Sequence, residues 1–342
     1  MIDKELDKKN LVGKRILLIS LPGYSDGIIK QMEDLGADVD YISDKPNEGF
    51  LCKSLGRLQI KFYQKIIDNY YQKKVVELKH NKYDYILVIR GEYTTVDSLK
   101  LLRKKYSSAK MILYMWDGLH KQNTRGIEKK WRYYDRVYTF DRFDYEENKD
   151  QIDFLPLYYY EEYLPKRKKE LNVNDMKYDV SFIGTGHADR VRIVKEVMQQ
   201  CKRIGKRTYS YTFMPHPILF WLNKIKNKDF KNVVWKDIHY KKMPIEKLYE
   251  IYNDSMCVVD VENPRQHGLT MRSIEIIGLK RKLITTNQDV KNYDFYEANN
   301  ILIIDRNNPV VDMSFFEKPY IELDAEIYEK YSLKNWIFEV LK

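Results

Sequence analysis

The stretch "QHGLTMRSIEIIG", residues 266–278, sets one carboxylate, Glu275, among Ile274, Ile276 and Ile277. A charged group in so apolar a run needs a partner, because burying an unpaired charge is costly. The preceding "NPRQHG" reads as a loop, and Thr270 as the N-cap of a helix that begins there. A capping box would need Glu or Gln at the third helical position, where Ser273 stands, so Glu275 is not a capping residue. It lies in the second turn, one turn from Met271 and Arg272 and one turn before Gly278, which leaves room for a close approach. Two readings stand. An Arg272–Glu275 pair at i,i+3 would be worth a few tenths of a kcal/mol if exposed. Alternatively, the helix N-terminus with the N–H groups of Gly268 and Leu269 receives a diphosphate. Arg272 then adds a cation beside it, and Glu275 accepts two hydrogen bonds from the vicinal hydroxyls of a ribose.

A second anion cradle is written into "FIGTGHADR", where Gly184, Thr185 and Gly186 follow a buried strand and open a helix. The spacing falls short of a dinucleotide fingerprint, and a tight strand-to-helix turn explains the glycines equally well. Arg190 and Arg192 follow, either solvated or in contact with phosphate.

These groups depend on the elements that carry them. Apolar strands are predicted at 15–20, 38–43, 83–90, 110–116, 135–140 and 153–158, with helices between, including a long one from about Ser54 to Lys79. Continuous apolar strands separated by helices indicate a parallel sheet covered on both faces. "YYYEEYLPKRKKELNVNDMK" breaks this rhythm with Pro165 and a charge run, and reads as a linker. The alternation then resumes with "YDVSFIG", "TYSYTFM", "PILFWLNKIKN", "NVVW", "MPIEKLYEIYND", "SMCVVDVE" and "KLITTN", and ends in a single helix, "LDAEIYEKYSLKNWIFEVLK". The expected fold class is α/β, with two doubly wound Rossmann-like domains facing each other across a cleft. Their bounds are 1–165 and 171–318, with a closing helical segment, 319–342, packing back on the first domain. Ligands of such sheets collect at the carboxyl ends of the strands, which directs attention to the loops at 22–27, 91–94, 117–120, 184–190, 214–217 and 262–270.

Composition sets the outer limits. The chain has 342 residues, 44% hydrophobic and 32% charged, enough for two soluble domains. The charged start "MIDKELDKKN" is no secretory signal, and no apolar run approaches the length of a membrane helix. Cys52, Cys201 and Cys257 lie far apart, without zinc spacing, which fits a reducing cytoplasm. A net charge of +10 suits an anionic membrane surface, an anionic small molecule or nucleic acid. No recognition motif accompanies the 29 tyrosines, so nucleic acid is not an expected partner.

"NPRQHGLTMRSIEIIGLKRKLITTN" resembles the donor-binding segment of GT-B glycosyltransferases, and is most similar to the group-1-like transferases of bacterial capsule, exopolysaccharide and lipopolysaccharide clusters. The likeness extends to "YDVSFIGTG", "VIRGE", "YMWDG" and "RVYTFDRFD". It implies transfer of a sugar from a nucleotide-sugar donor, held by the second domain, to a glycan or lipid-linked glycan acceptor on the first. The enzyme would be cytoplasmic, at the inner face of the membrane, and would use no cofactor. Gly184, Thr185, Gly186, Arg190, Gly268, Leu269, Thr270, Arg272 and Glu275 would hold the donor. His216 and His267 would help stabilise the leaving phosphate. An inverting transfer needs a base for the acceptor hydroxyl, for which Asp117 is preferred over Glu92; Gly23 and Tyr24 would line the acceptor side. Asp260-Val261-Glu262 looks like the acidic metal motif of the other large transferase fold, but it ends a buried strand, and no metal is expected. Many relatives carry a second glutamate seven residues before the first, a place taken here by Gly268. That departure leaves open a fold-conserving, inactive partner in a glycan assembly complex.

Overall fold

In the computed structural model, residues 10–23, 25–46, 61–119, 124, 126–164, 176–187 and 189–342 are described. They form two units, 1–156 with 333–342, and 157–332.

The first unit is a six-stranded parallel sheet in the order β2-β1-β3-β4-β5-β6. Its strands are β1 (Arg15–Ser20), β2 (Asp38–Ser43), β3 (Tyr85–Ile89), β4 (Lys110–Met115), β5 (Arg136–Thr139) and β6 (Asp153–Phe154). The apolar runs that predicted them are buried almost without interruption, as two covered faces require. Helices α1 (Ser25–Asp34), α2 (Lys61–Glu77), α3 (Val96–Lys105) and α4 (Arg142–Asn148) connect the strands. Thr95 caps α3 by accepting from the Ser98 N–H, and Asp141 caps α4 in the same manner.

The second unit repeats the design in the order β12-β11-β10-β7-β8-β9. Its strands are β7 (Tyr178–Thr185), β8 (Thr208–Phe213), β9 (Ile238–His239), β10 (Ser255–Asp260), β11 (Lys282–Thr285) and β12 (Ile301–Ile303). Helices α5 (Arg190–Arg203), α6 (Pro217–Lys226), α7 (Ile245–Asn253) and α8 (Met271–Gly278) link the first five. Strand order reverses between β1 and β3 in one sheet and between β7 and β10 in the other. In open sheets of this kind, such a reversal is the place where a crevice forms at the carboxyl edge.

Three expectations need correction. The predicted linker begins too early, because Tyr158 and Tyr159 are buried in the second unit. Tyr159 is the group that comes close to Gly278: a Cβ there would lie 2.4 Å from its ring. The closing segment is two helices, α9 (Ala325–Lys330) and α10 (Leu333–Leu341), broken at Tyr331 and Ser332. α10 belongs to the first unit, where the Trp336 ring meets Tyr114 edge-on at 4.8 Å. "NVVW" is no strand; Trp235–Asp237 is a short 3-10 turn, and the edge strand is β9 just beyond it.

Candidate functional site

At the second unit's strand reversal stands Asp260, the last residue of β10 and fully buried. Thr270 caps α8, its Oγ1 accepting from the Ser273 N–H at 3.3 Å, as the loop-to-helix pattern predicts. Both hydroxyls turn inward: Thr270 donates to Asp260 Oδ2 at 2.5 Å and Ser273 to the same oxygen at 2.6 Å. Arg272 Nη1 donates to Asp260 Oδ1 at 2.6 Å, and its Nε donates to the Tyr252 hydroxyl at 2.9 Å. Burial works to raise the Asp260 pKa, but the Arg272 charge, the two hydroxyls and nearby Arg190 together hold it below the usual carboxylate range.

Arg272 is therefore not paired with Glu275; among the described residues its ion pair is Asp260. Its Nη2 lies against Gly184, where a Cβ would come within 2.8 Å of that nitrogen and 2.9 Å of the Phe182 ring. This close approach is what the glycine permits. Arg190 is buried at the start of α5 and donates from Nε to the Val261 carbonyl at 2.6 Å and from Nη1 to Thr185 Oγ1 at 3.0 Å. Burial lowers its pKa to about 10, Arg272 adding to the effect and Asp260 and Glu262 opposing it. Gly186 is buried with no room for a side chain, its Cβ position 2.7 Å from a Thr212 methyl.

Glu275 has a partner that sequence reasoning missed. Tyr249, buried on α7, donates its hydroxyl to Glu275 Oε1 at 2.8 Å. The second carboxylate oxygen makes no hydrogen bond among the described residues, and the side chain is half-buried rather than sealed. Burial pushes the Glu275 pKa above the usual range, against the Tyr249 bond and the Arg272 charge, with Asp260 adding to the rise. The signal for Tyr249 was its place one turn before Tyr252 on a helix packed beside β10, which no local pattern ties to residue 275.

Asp260 and Glu262 are both committed to arginines. Arg306 pairs with Glu262 and with Asp189, the latter through two bonds of 2.7 and 2.9 Å. Glu262 also accepts from the Thr286 hydroxyl, and burial raises its pKa against that bond and the Arg306 charge. No group of three or more metal-ligating side chains occurs among the described residues. His216 is exposed and is the N-cap of α6, its Nδ1 accepting from the Ile218 N–H at 3.1 Å. His267 is exposed too; its carbonyl and that of Gly268 accept from Asn287 Nδ2 at 2.9 and 3.3 Å, while Leu269 is buried beneath the loop.

In the first unit the two candidate carboxylates share one arginine. Arg90 Nη2 lies 3.0 Å from Glu92 Oε2 and 2.8 Å from Asp117 Oδ2. Arg90 has φ +72° and Gly91 φ +60°, so β3 ends in two consecutive left-handed residues, one of them carrying a side chain. Such a conformation costs about 1–3 kcal/mol and persists where the surroundings over-determine it. Lys130 holds the turn from below, donating to the Gly91 carbonyl at 2.7 Å, and burial lowers its pKa to about 8 against the pull of Asp44 and Glu92. Gly23 turns the chain after β1 with φ +86°, and Tyr24 lies outside the described residues.

No family model matches the chain, and no curated protein matches it in sequence. Solved structures do resemble it. An α-glucosyltransferase in complex with UDP and a mismatched 13-mer DNA gives a TM-score of 0.56 at 16% identity, over 96% of this chain and 95% of that one. Sucrose-phosphate synthase from Thermosynechococcus elongatus gives 0.55 at 10% identity, over 96% and 94%. The UDP-GlcNAc 2-epimerase of Methanocaldococcus jannaschii gives 0.52 at 12%, over 96% and 99%. With two six-stranded parallel sheets and near-complete coverage by such neighbours, the chain has the GT-B fold.

Proposed function

We propose that this protein is a glycosyltransferase that moves a sugar from a nucleotide-sugar donor to a growing, lipid-linked bacterial surface glycan. The observation that carries this reading is Glu275: a half-buried carboxylate one turn inside a capped helix, with an oxygen left for a ligand, at the point of strand reversal. The ribose hydroxyls donate to that oxygen. The diphosphate meets the N-terminus of α8 and Arg272 Nη2, whose positive charge stabilises the phosphate as it leaves. Asp260 does not bind the donor; it holds Arg272, Thr270 and Ser273 in place. With Asp260 and Glu262 both taken by arginines, the transfer is proposed to be metal-independent. Asp117 is the proposed base for the acceptor hydroxyl, Glu92 the alternative, and Gly23 is proposed for the acceptor side.

A second reading, a catalytically silent binding protein, is favoured by Gly268 at the position of the missing glutamate. The test is a thermal-shift panel of nucleotide sugars, followed by calorimetry and mass spectrometry of products with glycan acceptors. Donor binding that is weakened in Glu275→Ala, together with a glycosylated product formed by the wild type, is the expected result. Binding without transfer selects the silent protein; a free epimerised sugar selects the chemistry named for the epimerase neighbour. Unchanged donor binding in Glu275→Ala overturns the site.

A further inference from the structure

Helix α6 breaks the rule by which a surface helix buries its apolar stripe. Phe220 alone of its side chains is buried in the protein. Ile218, Trp221, Leu222 and Ile225 are exposed, Ile225 at 82% and Trp221 at 58%. Trp235, from the turn before β9, stacks on Trp221 at 6.0 Å and 30° and is itself exposed. Isolated exposed apolar residues are ordinary, but a contiguous patch with two tryptophans marks a surface that meets something else.

Charge decides what that is. Residues 217–242 contain seven lysines and two carboxylates. Both carboxylates are occupied, Asp229 by Arg192 at 2.9 Å and Asp237 by Lys195 at 3.4 Å. Lys226, Lys228, Lys231 and Lys236, in α6 and the segment that follows it, are exposed. A second copy of the same face would bring these lysines against one another without compensating carboxylates. An anionic lipid surface meets both demands at once: its headgroups attract the lysines while indole and aliphatic side chains enter the headgroup–acyl boundary. The helix is already formed, with His216 as cap and Pro217 in its first turn, so docking requires no folding.

We infer that α6, with the Trp221–Trp235 pair at its centre, is a membrane-docking element that inserts into the surface of anionic bilayers. It goes beyond the general attraction of a basic protein for such a surface, and apart from the cap His216 none of its residues is among those named for the donor. The test is flotation, without nucleotide sugar, on vesicles of phosphatidylcholine with and without about one-third phosphatidylglycerol. Wild type is expected to float with the anionic vesicles at low salt. Trp221→Ser/Ile225→Ser and Lys226→Glu/Lys231→Glu are each expected to weaken binding at least ~10-fold with unchanged melting curves. Lys104→Glu/Lys149→Glu, exposed lysines of the first unit carrying the same charge change, is the control expected to bind nearly as wild type. Lipids brominated in the acyl chain are expected to quench tryptophan emission in wild type and not in Trp221→Ser/Trp235→Ser. The inference is overturned if wild type does not bind, if the control loses binding as fully as the α6 variants, or if sedimentation shows a dimer that Trp221→Ser/Ile225→Ser abolishes.

Discussion

The two strand reversals solve the same problem with opposite means. At β1/β3 a strained turn, Arg90 and Gly91 both at positive φ, delivers one guanidinium to two carboxylates, Glu92 and Asp117. At β7/β10 the capped helix α8 is regular, and Arg272 and Arg306 are matched by Asp260, Asp189 and Glu262 while Arg190 ties down backbone. The first edge sets two carboxylates on one guanidinium, which suits taking a proton from a hydroxyl. The second sets three arginines beside four carboxylates, Glu275 included, and adds a helix N-terminus and an Arg272 nitrogen with no hydrogen bond among the described residues, which suits an anion that gains charge as it leaves. The difference teaches that the polar groups of a shared fold are divided between those that act and those that hold others still.

The largest expected effect tests the first edge. Asp117→Asn should lower kcat by ~10²- to 10⁴-fold with the donor KM unchanged, as loss of a general base does, whereas Glu92→Gln should leave most activity. The reverse pattern would transfer the role to Glu92. At the second edge, Asp260→Ala strands the buried Arg272 charge and two hydroxyls, and should cost roughly 3–5 kcal/mol in urea unfolding. A small loss would mean that Asp260 is dispensable for holding Arg272.

Smaller effects sharpen the contrast. Glu275→Ala should weaken donor binding by about 1.5–3 kcal/mol in calorimetry, the worth of hydrogen bonds to a charged group. Gly278→Ala forces a methyl into the Tyr159 ring and should destabilise by about 1–3 kcal/mol, with Tyr159→Ala in the same chain recovering part of the loss. The smallest effect concerns pH. Folding raises the Glu275 pKa, so its stability contribution is fully present below the ordinary glutamate range and is lost as pH rises through the raised value. Glu275→Gln keeps the Tyr249 acceptor and removes that loss. Its melting temperature should exceed wild type near neutral pH and equal it near about pH 4.

Much of the architecture was legible in the residues, since strand and helix patterns are local. β1 and β2 occupy the predicted spans, and the cap at Thr270 follows from a hydroxyl placed before an apolar run. β12 was missed because three apolar residues carry too little periodicity to stand out. Side-chain partners were legible only in part. An i,i+3 rule pointed Arg272 toward Glu275, yet a buried carboxylate twelve residues upstream is the stronger attraction once β10 and α8 pack together. No helix of the described residues is long and apolar enough to cross a membrane.

Periodicity and turn chemistry, acting over a few residues, determined the two wound sheets and the helix that carries Glu275. Packing across tens of residues decided the rest: that Tyr249 and not Arg272 meets Glu275, that Tyr159 fills the space over Gly278, and that Arg90 joins Glu92 to Asp117. Such pairings depend on which side chains a fold brings within bonding distance, and a linear pattern carries no distance.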